Sequence, residues 1–282
     1  MTIERFREIE ESIKGIIANA FTKAIQVNSS DFILLMARGG YHKHLDRRGL
    51  DLSPFVIDDK EDLLRDRTRR KFFLGFLNEY VEKLNSKTTL SKEDREYEVN
   101  IQLMVYAHIW ESHLFLNQLS RLALIQLSKG YQWKNKIPHD GKANFINDSI
   151  IKRYELCDEN MAKLIKHCYL QDYRNAFAHS SYYIEDNRIQ LNKYALYIGP
   201  SMDFEEWDEV FVCSMLLSYH INDMLLKMKN RYIDEYGDGP VVIDLPMKYH
   251  HNKRKGVYIK PERIDCKEEK VKFRFMLKEE LE

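Results

Sequence analysis

Apolar residues recur along this chain at two periods, a helical one over most of its length and an alternating one near its end. From residue 3 to 27, Phe6, Ile9, Ile13, Ile16, Ile17, Ala20, Ala24 and Val27 stand one, three or four apart, which predicts an amphipathic helix. Asn28-Ser29-Ser30-Asp31 then offers stop and N-cap chemistry, and a basic, glycine-bearing stretch from Arg38 to Gly49 reads as a connector loop. A second helix is predicted from Asp59 to Leu84, with Phe73, Phe76, Leu77, Tyr80 and Leu84 on one side and acids at its start.

Ser91-Lys92-Glu93-Asp94 resembles a capping box, and no breaker follows until Gly130, so one helix is expected from there to about Lys129, the longest in the chain. Val99, Leu103, Tyr106, Trp110 and Leu114 form its stripe, and Ile101, Val105, Ile109 and Leu116 widen it, which places this helix at the centre of a bundle. Residues 130–141 read as an ordered loop whose Tyr131 and Trp133 either stack on bases or pack back on their own domain. Helices are then expected over Lys142–Tyr154 and, capped by Asp158, through Met161, Leu164, Ile165 and Cys168.

An Asp186-Asn187 turn between two β-prone runs predicts a small hairpin after residue 181, and Asp203-Phe204-Glu205-Glu206 opens another helix that runs to Gly237. Beyond Gly237-Asp238-Gly239-Pro240 the period becomes two, in Val241, Ile243 and Leu245, then Val257 and Ile259, then Val271, Phe273, Phe275 and Leu277. The basic run Lys248–Gly256 is expected to be a hairpin loop between these strands. The fold class is therefore mainly α, a helical bundle with a short hairpin insertion and a small C-terminal β appendage. Its expected divisions are residues 1–58, an N-terminal helix and basic loop; 59–236, the helical domain; and 237–282, the appendage.

Composition narrows the function classes. Lys plus Arg and Asp plus Glu both number 44, so any attraction to nucleic acid must come from local patches. Arg69 and Arg70 on the second helix, and Lys253 and Arg254 in the appendage, are candidate RNA contacts, although the acids Glu61, Asp62 and Asp66 favour a solvated face for the helix, and a solvated hairpin loop is an equal reading for the appendage. No apolar run approaches a membrane span and the N-terminus lacks a signal-peptide core, so a cytoplasmic chain is expected. The four cysteines are scattered without metal-finger spacing, and His108, Glu111 and His113 do not form an HExxH pattern; no metal site is expected.

The densest chemistry lies in Tyr173-Arg174-Asn175-Ala176-Phe177-Ala178-His179-Ser180. In a helix, Asn175 and His179 share a face one turn apart, while Arg174 is about 140° from His179 and joins them only by reach. A guanidinium, an amide and an imidazole together suit a phosphate substrate; the plain alternative is a dipole-complementing helix end.

Arg174-Asn175-x-x-x-His179 resembles the RNxxxH form of the Rx4-6H motif of the HEPN superfamily, over roughly residues 91–236. That resemblance implies a HEPN-like helical bundle and a metal-independent endoribonuclease without cofactors, in which two chains of a homodimer pair their motifs. It assigns catalysis to Arg174, Asn175 and His179, and draws attention to Glu111, because an acid on an earlier helix often faces the motif. Tyr173 and Tyr182 stand beside it as supporting residues; with Phe177 and Tyr183 they are candidates for the dimer patch. It leaves open a non-catalytic module that binds RNA or a nucleotide, or that partners a nucleotidyltransferase-type antitoxin.

Overall fold

The computed structural model describes residues 1–48, 54–87, 90–194, 197–247, 250–276 and 280, and of 46–48, 193–194, 197–198, 247 and 250–254 the backbone only. Most of it is helical, with small antiparallel sheets attached.

Helix α1 (Ile3–Val27) starts where Thr2 accepts a hydrogen bond from the Arg5 amide, and buries the predicted stripe of Phe6, Ile9, Ile13, Ile17, Ala20 and Ala24 against later helices. Asn28 ends it and caps α2 (Ser29–Met36), taking the Asp31 amide at 3.0 Å. The basic stretch that follows is more ordered than a solvated connector. Strand β1 (Gly40–Tyr41) pairs with β2 (Phe55–Val56), and a 3-10 turn covers Lys43–Arg48.

Both long central helices are broken where the sequence shows no breaker. Helix α3 (Glu61–Arg65) stops at Asp66 and α4 (Arg67–Ser86) resumes. The helix expected over 91–129 is two helices, α5 (Lys92–Glu111) and α6 (His113–Gln126), with Ser112 extended between them at φ −68° and ψ 118°. One residue explains both breaks. Asp66 Oδ2 accepts the Leu114 amide at 2.9 Å and the Ser112 hydroxyl at 2.8 Å, and Ser112 Oγ in turn caps Phe115, so the interrupted backbone is satisfied by side chains.

Tyr131 and Trp133 of the following loop are buried: Tyr131 donates its hydroxyl to the Gly39 carbonyl at 2.7 Å, and its ring meets Trp133 edge-on. They pack on their own domain and are not open to bases. Helix α7 (Lys142–Ile146) passes through a π turn (Asn147–Ile151) into α8 (Lys152–Cys157); Asp158 caps α9 (Glu159–Cys168), which leads to α10 (Gln171–Ala178).

The expected hairpin is a three-stranded sheet, β3 (Tyr182–Glu185), β4 (Arg188–Tyr194) and β5 (Tyr197–Asp203), its first turn made by Asp186 and Asn187 at φ 49° and 58°. Gly199 and Pro200 disguise β5. Gly199 is needed there, since a Cβ would stand 2.3 Å from the Leu191 carbonyl oxygen. Helix α11 (Phe204–Tyr236), capped by Asp203, is the longest element and buries Trp207, Phe211, Met215, Leu217, Ile221 and Leu225.

The appendage forms as expected, as an antiparallel sheet of β6 (Val241–Met247), β7 (His250–Arg263) and β8 (Val271–Phe275), with Ile243, Val257, Ile259, Val271 and Phe273 buried. Residues 250–256 belong to strand β7 and not to a loop; 248–249 and Leu277 lie outside the described residues. One continuous core runs from Ile3 to Phe273, so the three expected segments share their apolar interior. Among the described residues no helix is long and apolar enough to cross a membrane.

Candidate functional site

Helix α10 is fixed at its start by a residue 64 positions earlier. Tyr106 on α5, fully buried, accepts the Leu170 amide at 2.6 Å and donates to the Cys168 carbonyl at 2.9 Å, which ties the α9–α10 junction to the bundle centre. Within α10, Tyr173 lies on Trp207 of α11 with ring centroids 5.8 Å apart, and Ala176 is buried with it. At 5 % exposure Tyr173 belongs to this chain's own core, which corrects its assignment to an interface patch.

With Tyr173 and Ala176 inward, Arg174 and Asn175 fall on the half-buried flank of the helix. Arg174 Nη1 donates to Asn175 Oδ1 at 2.8 Å, and Nη2 forms an ion pair with Glu111 at the last position of α5. Glu111 also pairs with Lys142 of α7, whose side chain is nearly buried. Burial lowers the basicity of Arg174, and burial, then the neighbouring Arg69, lowers that of Lys142. The acid that the sequence singled out does meet the motif arginine. The break at Ser112 makes this geometry, because it ends α5 at Glu111 and turns the chain away.

His179 stands just past the helix. Its amide still donates to the Asn175 carbonyl at 3.0 Å, and its side chain is exposed. The helix closes in a Schellman arrangement: Ser181 N bonds the Ala176 carbonyl, Ser180 N bonds that of Phe177, and Ser180 is left-handed at φ 50°. The chain then enters β3, where half-buried Tyr182 packs on Phe177 and donates its hydroxyl to Asn100 of α5 at 2.6 Å, and Tyr183 is exposed. The site is thus one helix end with its arginine anchored and its imidazole in solvent.

On the far side of Glu111 opens a polar cleft of about 870 Å3. Arg65, Arg69, Arg121, Lys134, Lys136 and Lys142 line it, with Asp59, Glu61, Asp62 and Glu111 between them. Most of these cations were not singled out in the sequence, because they come from five separate segments and form no run. Of the two arginines offered as RNA contacts, Arg69 lines the cleft and contacts Asp66 at 3.3 Å, whereas Arg70 does not line it. Lys253 and Arg254 have their backbone in β7, and their side chains lie outside the described residues.

One group of described residues could hold a cation, His42, Asp59 and Glu61, whose ligand-type atoms lie within 4.8 Å of one another beside the cleft. His42 Nε2 already meets Asp59 at 2.9 Å and Nδ1 meets Glu61 at 3.4 Å, so both ring nitrogens are engaged by carboxylates. His113 makes a 3.0 Å contact with Arg65, and Glu111 is committed to Arg174 and Lys142, so these two do not converge with His108 on a metal. Comparison of the chain with family models, curated proteins and solved structures finds no match.

Proposed function

We propose that this protein is a metal-independent endoribonuclease of the HEPN type, acting as a two-fold homodimer. The observation that carries the reading is the anchored pair Arg174–Asn175, held by Glu111 from another helix, one turn before an exposed His179. Arginine and asparagine in contact present a rigid set of donors to a phosphate, and an imidazole in solvent can take a proton from a ribose 2′-hydroxyl. Arg174 stabilises the charge that builds on phosphorus and Asn175 orients the phosphate. The product carries a cyclic phosphate. One histidine per chain supplies one of the two proton transfers that the reaction profits from, and a second chain docked by an isologous interface supplies the other. The basic cleft beyond Glu111 offers a track for the RNA backbone.

The test is incubation with transfer or other structured RNA in the presence of a chelator. Cleavage is expected to persist, to leave a 2′,3′-cyclic phosphate, and to fall by about 100-fold or more in His179→Ala, the scale of a lost general acid or base. Arg174→Lys should also be severely impaired, because an ammonium cannot reproduce the fork. Activity that disappears with the metal, or survives in His179→Ala, refutes the proposal. Active protein that stays monomeric in light scattering refutes the dimer.

A specific observation favours a second reading. Both terminal nitrogens of Arg174 are already engaged, by Asn175 and Glu111, which suits a non-catalytic module that recognises RNA, a nucleotide or a protein partner such as an antitoxin. RNA left intact at high protein concentration, with RNA or a nucleotide retained on the protein, decides for it.

A further inference from the structure

The polar cleft beyond Glu111 has more cations than its acids can pair. Each carboxylate on its lining is taken: Asp59 meets His42 at 2.9 Å, Glu61 meets Arg65 at 2.7 Å, Asp62 meets Arg65 at 3.3 Å and accepts the Asn117 amide, and Glu111 is shared by Arg174 and nearly buried Lys142. Arg69 is paired with Asp66. Arg121, Lys134 and Lys136 line the same cleft, and none of the three makes an ion pair among the described residues.

These three cations share one wall. His113, Asn117 and Arg121 stand four residues apart and lay one face of α6 along the cleft over about 12 Å. Asn135 donates its side-chain amide to Asn117 at 2.8 Å, which brings the loop that carries Lys134 and Lys136 against that face, one turn from Arg121. Arg121 Nε donates to the Gln132 carbonyl at 3.2 Å and its guanidinium lies 4.8 Å from the centre of the Tyr131 ring, so the base of this side chain is fixed while its terminal nitrogens make no hydrogen bond among the described residues. Lys134 sits over the Tyr41 ring at 4.2 Å, and Lys136 is exposed.

Unpaired cations on the wall of a cleft concentrate anions there, and several adjacent negative charges on one ligand answer several cations at once. We propose that this wall binds a triphosphate group, borne by a nucleotide or by the 5′ end of an RNA, with its oxygens on Arg121, Lys134 and Lys136. At about 870 Å3 the cleft is in the size range of small-molecule sites. The three cations are separate from Arg174 and His179, and binding is measured without cleavage, so this proposal and the ribonuclease reading fail by different observations.

Calorimetry of the full chain with inorganic triphosphate, in buffer free of divalent metal, tests it. Triphosphate should bind about tenfold or more tightly than monophosphate, as expected when charge-assisted hydrogen bonds are added. Arg121→Gln should weaken triphosphate about tenfold, and so should Lys134→Gln with Lys136→Gln. The two lysines carry no hydrogen bond among the described residues, so the melting temperature of that double variant should not drop, which separates lost binding from lost folding. Lys163→Gln, at an exposed lysine outside the cleft, should leave the affinity unchanged. Two further pairs distinguish the sources: ATP binding more tightly than AMP assigns the group to a nucleotide, and a 5′-triphosphate RNA binding more tightly than the same RNA with a 5′-hydroxyl assigns it to an RNA end. Absence of saturation in the millimolar range, equal affinity for triphosphate and monophosphate, unchanged affinity in the cleft variants, or an equal loss in Lys163→Gln overturns the proposal. Equal affinities within both of the source pairs overturn it as well.

Discussion

Two ionic clusters in this molecule use the same residue types to opposite ends. Around Lys229 everything is closed: its side chain is 1 % exposed, it pairs with Asp58 and, at 2.6 Å, with Glu269, and Arg38 meets Glu269 at 2.6 Å from the other side. Asp58 also accepts the Phe273 amide, so the cluster joins the segment after β2, helix α11 and strand β8. Around Glu111 the cluster is half open. Arg174 and Glu111 are both about one-fifth exposed, Asn175 Nδ2 has no hydrogen-bond partner among the described residues, and His179 faces solvent. A buried charge with all its partners specifies structure, whereas a partly paired charge beside an exposed imidazole retains donors for something outside the chain.

The largest effect expected from this contrast is on stability. Lys229→Met leaves Asp58 and Glu269 buried beside only Arg38, and should cost about 3–5 kcal/mol in denaturant unfolding, the range for breaking a buried pair from one side. Arg174→Met removes a charge that solvent partly screens, and should cost about 1 kcal/mol or less. Equal losses in the two variants would erase the distinction.

Next comes the break that positions Glu111. Asp66→Ala removes the acceptor of both the Leu114 amide and the Ser112 hydroxyl in a buried turn, so about 2 kcal/mol should be lost. Because α5 must end at Glu111 for the Arg174 contact to form, cleavage should suffer in this variant even where the protein is still folded. An unchanged rate in folded Asp66→Ala would mean that the break has no part in the site.

These two clusters also mark what could be read in the sequence. The stripes of α1 and α11, the period-two tail and the caps at Ser91, Asp158 and Asp203 were legible because each is local: spacing and a capping side chain lie within a few residues of each other. The breaks at Asp66 and Ser112 were not, because each is stabilised by the other, 46 residues away, and neither carries a glycine or proline. For the same reason the cleft was invisible, since its cations converge from α3, α4, α6, the loop after it and α7. The Arg174, Asn175 and His179 group was legible as a motif. That Arg174 reaches Asn175 around the helix, and that Tyr173 turns inward onto Trp207, depend on α5 and α11 and required the fold.

Glu111→Gln sharpens the comparison further. The substitution keeps the shape but removes the charge shared by Arg174 and Lys142, so stability should change by about 1 kcal/mol while kcat/KM for RNA falls about tenfold or more through loss of positioning. If Glu111→Gln cleaves at the wild-type rate, the acid is a plain surface partner.

The smallest expected effect is a pH dependence of stability that arises outside both ionic clusters. Burial lowers the pKa of His108, His113 and His220 from the ordinary 6.5, with Arg69 adding to the effect at His108, Arg65 at His113 and Lys14 at His220. Each imidazole therefore takes up a proton more readily in the unfolded chain. The stability they contribute is complete above the unfolded value and is lost as pH falls through it toward the folded ones. His167 opposes them: its contact with Cys213 raises its pKa, so its contribution is present at low pH and fades as pH rises. Cys213, its thiol held down to about 6 by contacts with Cys168 and His167, acts in the same sense as the three histidines; with these four against His167, the unfolding free energy should decline from about pH 7.5 to about pH 5.5, and His108→Gln and His113→Gln should each flatten the slope. The Lys229 cluster holds no histidine, so Lys229→Met should lower the curve without flattening its slope over this range. A slope that survives both histidine substitutions and disappears in Lys229→Met would place the titrating groups in the closed cluster instead, with its carboxylates as the source.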